Sequence, residues 1–255
     1  MTLKRREPVP GSQALSFGAC LSFFLFLGVL GGSCLEARAQ NAVFAKGGVT
    51  GVGARPLGMA GAFVAIADES SAVYWNPAGL VQLNRGEAQY MFAAVLNGKI
   101  LNHYFTFSEP FGDQMVVAGS TEIRQHTGGN KAFEMMNLAT FATPLNLEKT
   151  FSFGINFKYI SASSKTLSLF RASGWGADVG FLYRIPVRVK KLGKEISLGL
   201  KVEDLSTSIQ WDTGLKEKFP TLIRTGTAFK FNDSLQMAMD MESFQDKNLS
   251  ASKGD

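Results

Sequence analysis

From Gly86 onward the sequence alternates with period two, and this narrows the possible folds more than any other feature. In FSFGINFKYI, Phe151, Phe153, Ile155, Phe157 and Tyr159 fall on one side of an extended chain, and Ser152, Gly154, Asn156 and Lys158 on the other. GWGADVGFLYRI sets Trp175, Ala177, Val179, Phe181, Tyr183 and Ile185 against Gly174, Gly176, Asp178, Gly180 and Arg184. EISLGLKVED sets Ile196, Leu198, Leu200 and Val202 against Ser197, Gly199, Lys201 and Glu203, and SLQMAMDM behaves likewise with Asp240 on its polar side. Nine such segments are legible, near 88–96, 101–109, 114–124, 134–144, 150–162, 173–186, 194–205, 221–231 and 234–244. Successive strand side chains point to opposite faces, so each segment has one greasy face and one polar or glycine-rich face.

Segment length is the second constraint. A tilted membrane strand needs about 9–11 residues, whereas strands of soluble sheets centre near about 5–6. A greasy face backed by a polar one is the pattern of an antiparallel transmembrane β-barrel with lipid outside. A soluble exported β-sandwich that binds a ligand would alternate in the same way. Strand length, the aromatic-rich apolar face and export argue against it. Composition agrees, with 18% charged residues, 27 Gly, and 21 Phe against five Tyr and three Trp.

The connections also alternate. If the chain enters from the periplasm, the turns near Pro110, at 145–149, at 187–193 and at Asn232-Asp233 are periplasmic. Asn97-Gly98, 125–133, 163–172 and 206–219 are then external. The first set is mostly short and the second mostly long, as in outer-membrane barrels. The basic turn 187–193 and the tight Asn97-Gly98 hairpin are the exceptions. After Met241, residues 242–248 read as a loop and 249–255 as the start of another strand. Open strand edges are costly in lipid, so the expectation is that these strands belong to a larger barrel of which about 9–10 are present here.

The N-terminus reads as a secretory signal over 1–39. Lys4, Arg5 and Arg6 precede an uncharged stretch from Ala14 to Leu35, and Ala37-Arg38-Ala39 gives an A-x-A cleavage site. The uncharged stretch is long enough to anchor in a bilayer, but its glycines before the cleavage motif favour removal. A lipoprotein site at Cys34 fits poorly. Both cysteines, Cys20 and Cys34, leave with the signal, so the remainder carries no disulfide. The signal holds four basic and two acidic residues, so the remainder has 22 basic against 19 acidic, a net +3. No basic stripe points to nucleic acid.

Residues 40–85 do not alternate and are rich in small residues. Met59 to Ala67 suits a tight-packing helix or a buried strand. Asp68 is placed to cap a turn over Glu69 to Val73. Asn76 is placed to cap a second turn with Pro77 at its first position, where the missing N–H costs nothing. Gly79 allows close packing or a positive φ.

RPLGMAGAFVAIADESSAVYWNPAGL resembles the N-terminal signature of the FadL-like outer-membrane barrels, most closely of the PorV/PorQ branch. LGLKVEDLSTSIQW, FPTLIRTGTAFKF and SLQMAMDMESFQDKNLS extend the resemblance over about residues 50–250. The resemblance implies an all-β barrel of about fourteen strands, with residues 40–85 as an N-terminal hatch containing short helices and 86–255 as wall. It implies a hatch motif of Tyr74, Trp75, Asn76, Pro77, Ala78 and Gly79. It implies a non-enzymatic protein of the outer membrane, acting in transport or in type IX secretion. Its partners would be outer-membrane lipid, and either secretion components and cargo or a small hydrophobic ligand such as a fatty acid. No cofactor is implied.

Catalytic patterns are sparse. His103 and His126 have no metal-like partner at short spacing, and neither H-E-x-x-H nor G-x-S-x-G occurs. GVTGVGARPLG lacks the G-K-[ST] end of a phosphate loop. Asp178, Arg184, Lys201, Glu203 and Asp240 fall on polar strand faces, where they either set the charge of a lumen or pair along the wall.

Overall fold

The computed structural model describes residues 51–128, 131–164, 170–187, 194–232 and 234–245. The chain divides into two units, Met1–Asn41 and Ala42–Asp255. The expected signal segment 1–39 and expected hatch residues 40–50 lie outside the described residues, as do 165–169 of an expected outer loop, 188–193 of the basic turn and 246–255, where the start of a further strand was expected. Every described residue belongs to the second unit.

Ten strands form one antiparallel sheet: β1 (Glu87–Val95), β2 (Ile100–Phe111), β3 (Met115–His126), β4 (Ala132–Pro144), β5 (Phe151–Ser164), β6 (Phe170–Pro186), β7 (Glu195–Trp211), β8 (Lys216–Lys218), β9 (Thr221–Lys230) and β10 (Gln236–Gln245). Each pairs with its sequence neighbour, except that β7 pairs with both β8 and β9. All nine expected segments are strands.

The sheet is not closed into a barrel. β1 and β10 are its two edges, so barrel closure and the fourteen-strand count are not features of the described residues. Inward side chains on these edges are only half-buried, while those of β2 to β9 are mostly buried.

Several local expectations are corrected. The loop placed at 206–219 is partly strand, because β7 runs on to Trp211 and returns as β8. β10 continues to Gln245, where a loop was expected from residue 242. His126 closes β3 instead of lying in a loop. Met59 to Ala67 is a series of hydrogen-bonded turns, neither helix nor strand. Asp68 caps nothing: its carboxylate pairs with Arg55, and the short helix at 72–75 has Ser71 before it, with no side-chain cap.

The sheet's two faces are chemically inverted relative to a soluble domain. On β2, Asn102, Thr106 and Ser108 are fully buried while Phe105 and Phe107 are exposed. On β5, Ser152, Asn156 and Lys158 are buried while Phe157 is 60% exposed. The polar face is covered by residues 51–83. They comprise α1 (Ala54–Gly58), α2 (Ala72–Trp75) and a 3₁₀ helix (Pro77–Gln82) joined by turns. Phe63, Val73, Trp75 and Leu80 of this segment form a core with Tyr104, Leu138, Ile160 and Ala228 of the sheet. Fully burying such side chains contributes about 1.5–3 kcal/mol each.

Candidate functional site

The best-defined site is the seat that holds residues 51–83 against the polar face. Its centre is the Tyr74–Gly79 motif. α2 ends because Pro77 cannot continue its hydrogen-bond ladder, and Asn76 is extended, at φ −160° and ψ 104°. Asn76 is fully buried, and its Oδ1 accepts from the Ala78 N–H at 3.2 Å, capping the 3₁₀ helix as expected. Its Nδ2 donates to the Val64 carbonyl at 2.8 Å and to the Phe181 carbonyl of β6 at 3.0 Å. One amide thus joins the cap, the preceding turn and the wall.

The wall is shaped to receive this backbone. Gly154 and Gly180 are directly opposed on β5 and β6. A Cβ on Gly154 would overlap the Ala78 nitrogen and Pro77, and one on Gly180 would overlap the Asn76 side chain. The opposed pair Gly199 and Gly226 makes the same room for Val64 and Ala65. Ser152 Oγ donates to the Ala78 carbonyl at 2.9 Å, and Asn156 Nδ2 to the Val73 carbonyl at 2.9 Å. Gly79 serves close packing, since a Cβ there would strike the Ala67 carbonyl. Gln82 Nε2 donates to the Ile66 carbonyl at 2.7 Å and fixes the same turn.

The two aromatics of the motif meet the wall's cations. Trp75 donates Nε1–H to the Val52 carbonyl at 2.8 Å, and the Arg224 guanidinium lies 5.7 Å from its ring centre. Lys201 Nζ lies 5.5 Å from the Tyr74 ring centre and donates to the Tyr74 carbonyl. The rings of Tyr74 and Trp75 meet edge to face at 5.2 Å. Cation–π contacts of this kind contribute about 0.5–2 kcal/mol, more when desolvated. On β10, Asp240 Oδ2 accepts from the Phe63 and Val64 N–H groups at 2.8 and 2.9 Å. On β1, Glu87 Oε2 accepts from the Ser70 N–H at 3.1 Å. The segment therefore ties both edges of the sheet.

Beneath the motif lies a buried charge network. Lys158 Nζ sits 2.7 Å from both Asp178 Oδ1 and Asp204 Oδ1. The Asp204 N–H donates to Asp178 Oδ1 at 2.9 Å, and Asn156 Nδ2 to Asp178 Oδ2 at 3.2 Å. Lys201 pairs with Glu203 at 3.0 Å, and Arg224 with Glu203 at 3.3 Å and with Glu242 at 3.2 Å. Of the polar-face residues expected from sequence, Asp178, Lys201, Glu203 and Asp240 thus converge around the segment. Arg184 meets the segment's far end, donating to Gln82 Oε1 at 3.4 Å and to the Lys149 carbonyl at 2.7 Å. Asp204 and Arg224 were not expected. Asp204 follows Glu203, so strict alternation would turn it outward. A φ of 59° at Asp204, beside register shifts between β6 and β7, brings both carboxylates inward.

The histidines stand apart from this seat. His103 is on the outward face, with its Nδ1 2.9 Å from the Tyr90 hydroxyl and its ring 4.9 Å from that of Phe92. His126 pairs with Glu134 at 3.0 Å. Among the described residues no three His, Cys, Asp or Glu side chains are grouped to hold a metal, and no helix is long and apolar enough to cross a membrane. The geometry is that of a docking seat, with buried polar contacts from the wall to the segment's backbone. No protein-family model matches the sequence, and no curated protein matches it significantly.

Proposed function

We propose that this chain is an outer-membrane β-barrel protein of the FadL-like type, nearest to the PorV/PorQ branch, with residues 40–85 as its internal hatch. Its role is transport or secretion, not catalysis. The observation that carries this reading is the inverted polarity of the sheet, greasy outside and charged inside. The outward Tyr90, Phe92, Phe105, Phe107, Phe157, Trp175 and Met241 are all exposed, with no second layer over them among the described residues. Such a surface belongs in lipid. Outward aromatic pairs mark two levels: Phe151 beside Tyr183, and Tyr159 beside Trp175. They are separated by roughly 26 Å along β5, or about 20 Å once tilted, close to the height of a barrel's apolar band at about 25 Å.

β1 and β10 run in the same direction, so antiparallel closure takes an odd number of further strands between them. With β8 set aside, nine strands lie on the path from β1 to β10, and five more would give the fourteen of the resembled barrels. Expressed with its leader in a Gram-negative host, the protein is expected in the outer-membrane fraction, resistant to urea extraction. Recovery in the aqueous periplasmic fraction would overturn the reading.

Gated passage of small hydrophobic molecules is the alternative to an accessory role in secretion: the segment covers the polar face, so passage would require it to move. Uptake or conductance of the complete barrel left unchanged by replacing Asn76 and Pro77 counts against gating. Failure to co-purify secretion components or secreted cargo from outer membranes counts against the accessory role.

A further inference from the structure

The outward face of the sheet is almost free of charge. Among the described strand residues, the outward cations are Arg171, Lys216 and Lys218, and all three lie at the rim carrying the β6 start and the β7–β8 turn. Glu109 is at the opposite rim. The ladder fixes their neighbourhood. Trp175 on β6 opposes Ser208 on β7, which opposes Lys218 on β8. One rung farther out, Ser173 opposes Gln210, which opposes Lys216. Arg171 occupies the next outward position on β6, and the Asp212 N–H donates to its carbonyl at 2.9 Å, so one carboxylate stands opposite Arg171 at this rung. Opposed residues share a face, so the three cations project sideways from the wall. Glu217, between the two lysines, opposes the buried Ile209 and belongs to the inner face.

None of the three cations pairs with a carboxylate among the described residues. Strand spacings put Lys216 and Lys218 about 7 Å apart and Arg171 roughly 12 Å from Lys216, within reach of one headgroup. Trp175 is 70% exposed, and Tyr159 packs on it at 4.7 Å, a pair of amphipathic rings of the kind found at membrane interfaces. Below them the same face turns wholly apolar with Phe157 and Leu205. From the greasy wall to the rim, the order is therefore apolar surface, aromatic pair, neutral hydrogen-bonding side chains, then three cations with the single carboxylate of Asp212 beside them. That order matches acyl chain, interface and phosphate.

We propose that Arg171, Lys216 and Lys218, with Ser173, Gln210 and Trp175, form a docking site for the phosphate of an anionic lipid headgroup. The site rests on the membrane-barrel reading and specifies which lipid that wall selects. An acidic protein partner fits less well, because cations that project sideways would bring it against the greasy wall.

The test uses the whole protein added to vesicles of phosphatidylcholine alone or mixed with phosphatidylglycerol. Insertion is scored by urea-resistant flotation, and selectivity by the lipid retained on detergent extraction. The protein is expected to insert in both and to retain phosphatidylglycerol preferentially. Each cation near an anionic surface contributes about a fivefold effect, so R171Q/K216Q/K218Q is expected to insert normally and lose roughly a hundredfold in preference at low salt. K99Q/K131Q, at the same end of the sheet but off its strands, is expected to keep the preference. An undiminished preference in the triple variant, an equal loss in K99Q/K131Q, or loss of the preference on adding millimolar inorganic phosphate would each overturn the site. Failure to insert in either vesicle would instead overturn the barrel reading beneath it.

Discussion

Replacing Asn76 tests whether the seat is held by one bridging amide or by the cap alone. Asn76→Ala removes three contacts from a fully buried position. Loss of the cap on the Ala78 N–H costs about 1 kcal/mol. The Val64 carbonyl, packed against Gly199 on its other side, loses its 2.8 Å donor. Stripping such a group of its partner costs about 1–3 kcal/mol. The Phe181 carbonyl belongs to a strand paired on both sides and adds less. The expected loss is about 2–4 kcal/mol. Asn76→Ser keeps the cap acceptor but cannot span to both carbonyls, so it should recover only about 1 kcal/mol of that loss. Asn76→Asp keeps the shape and the cap but turns a carboxylate oxygen toward two carbonyls, so it should be no better than Asn76→Ala. Guanidinium unfolding in detergent micelles, followed by tryptophan emission, gives the order. Because Trp75 sits beside position 76 and is buried, its emission reports the seat directly. A Ser variant as stable as the wild type would refute the argument, because it would reduce Asn76 to a helix cap.

Three further outcomes rest on the same contacts. Lys158→Met takes the shared cation from Asp178 and Asp204, leaving Asp178 only the longer pair with Lys201 at 3.9 Å, and is expected to cost about 3–5 kcal/mol; adding D178N and D204N should restore much of the loss, as measured by the same unfolding assay. Gly154→Ala is expected to displace the 3₁₀ helix and destabilise by several times more than Gly128→Ala, whose Cβ meets nothing within 4 Å; equal midpoints would remove close approach as the reason for glycine at 154. Asp113, in the β2–β3 turn, is held below the usual carboxylate range by the hydrogen bond and charge of Lys149. Its folded pKa is depressed, so its contribution is present above the ordinary carboxylate pKa and lost as pH falls through the depressed value. Asp113→Asn should therefore be slightly less stable than wild type at neutral pH, and the gap should close in strong acid and in high salt.

The strands were legible because their two faces differ so sharply. Phe151 to Tyr159 and Trp175 to Tyr183 could only alternate between two environments, and the ladder pairs them as the pattern requires. Asn76 was legible as a cap because an Asn-Pro step has few other uses at a helix start. What stayed hidden depends on contacts distant in sequence. β8 is three residues of Lys-Glu-Lys, with no apolar face to announce it. Asp204 reaches Lys158 only because positive φ at Asp204 and Ser206 breaks the phase of β7. Asp68 looked like a cap, but its carboxylate found Arg55 across the turn, an ion pair that no local pattern encodes. The small residues of 59–67 left helix and strand equally open. The structure chose turns, because the amides of Phe63 and Val64 are taken by Asp240, far along the chain.

The opposed glycines of the wall bear on how the inner segment would come away. Gly154 with Gly180, and Gly199 with Gly226, present bare backbone to the Asn76–Ala78 and Val64–Ala65 stretches, with the Asn76 side chain and the Pro77 ring seated on the first pair. Separation there breaks hydrogen bonds that water can remake, and strips few methyl groups of their packing. Beside the loss of the apolar core, the barrier to lifting the segment thus has a part that is one of wetting: how readily water enters the seam between Pro77 and the strands beneath it. Osmolytes that lower water activity should hold the segment down, even though they touch none of its residues.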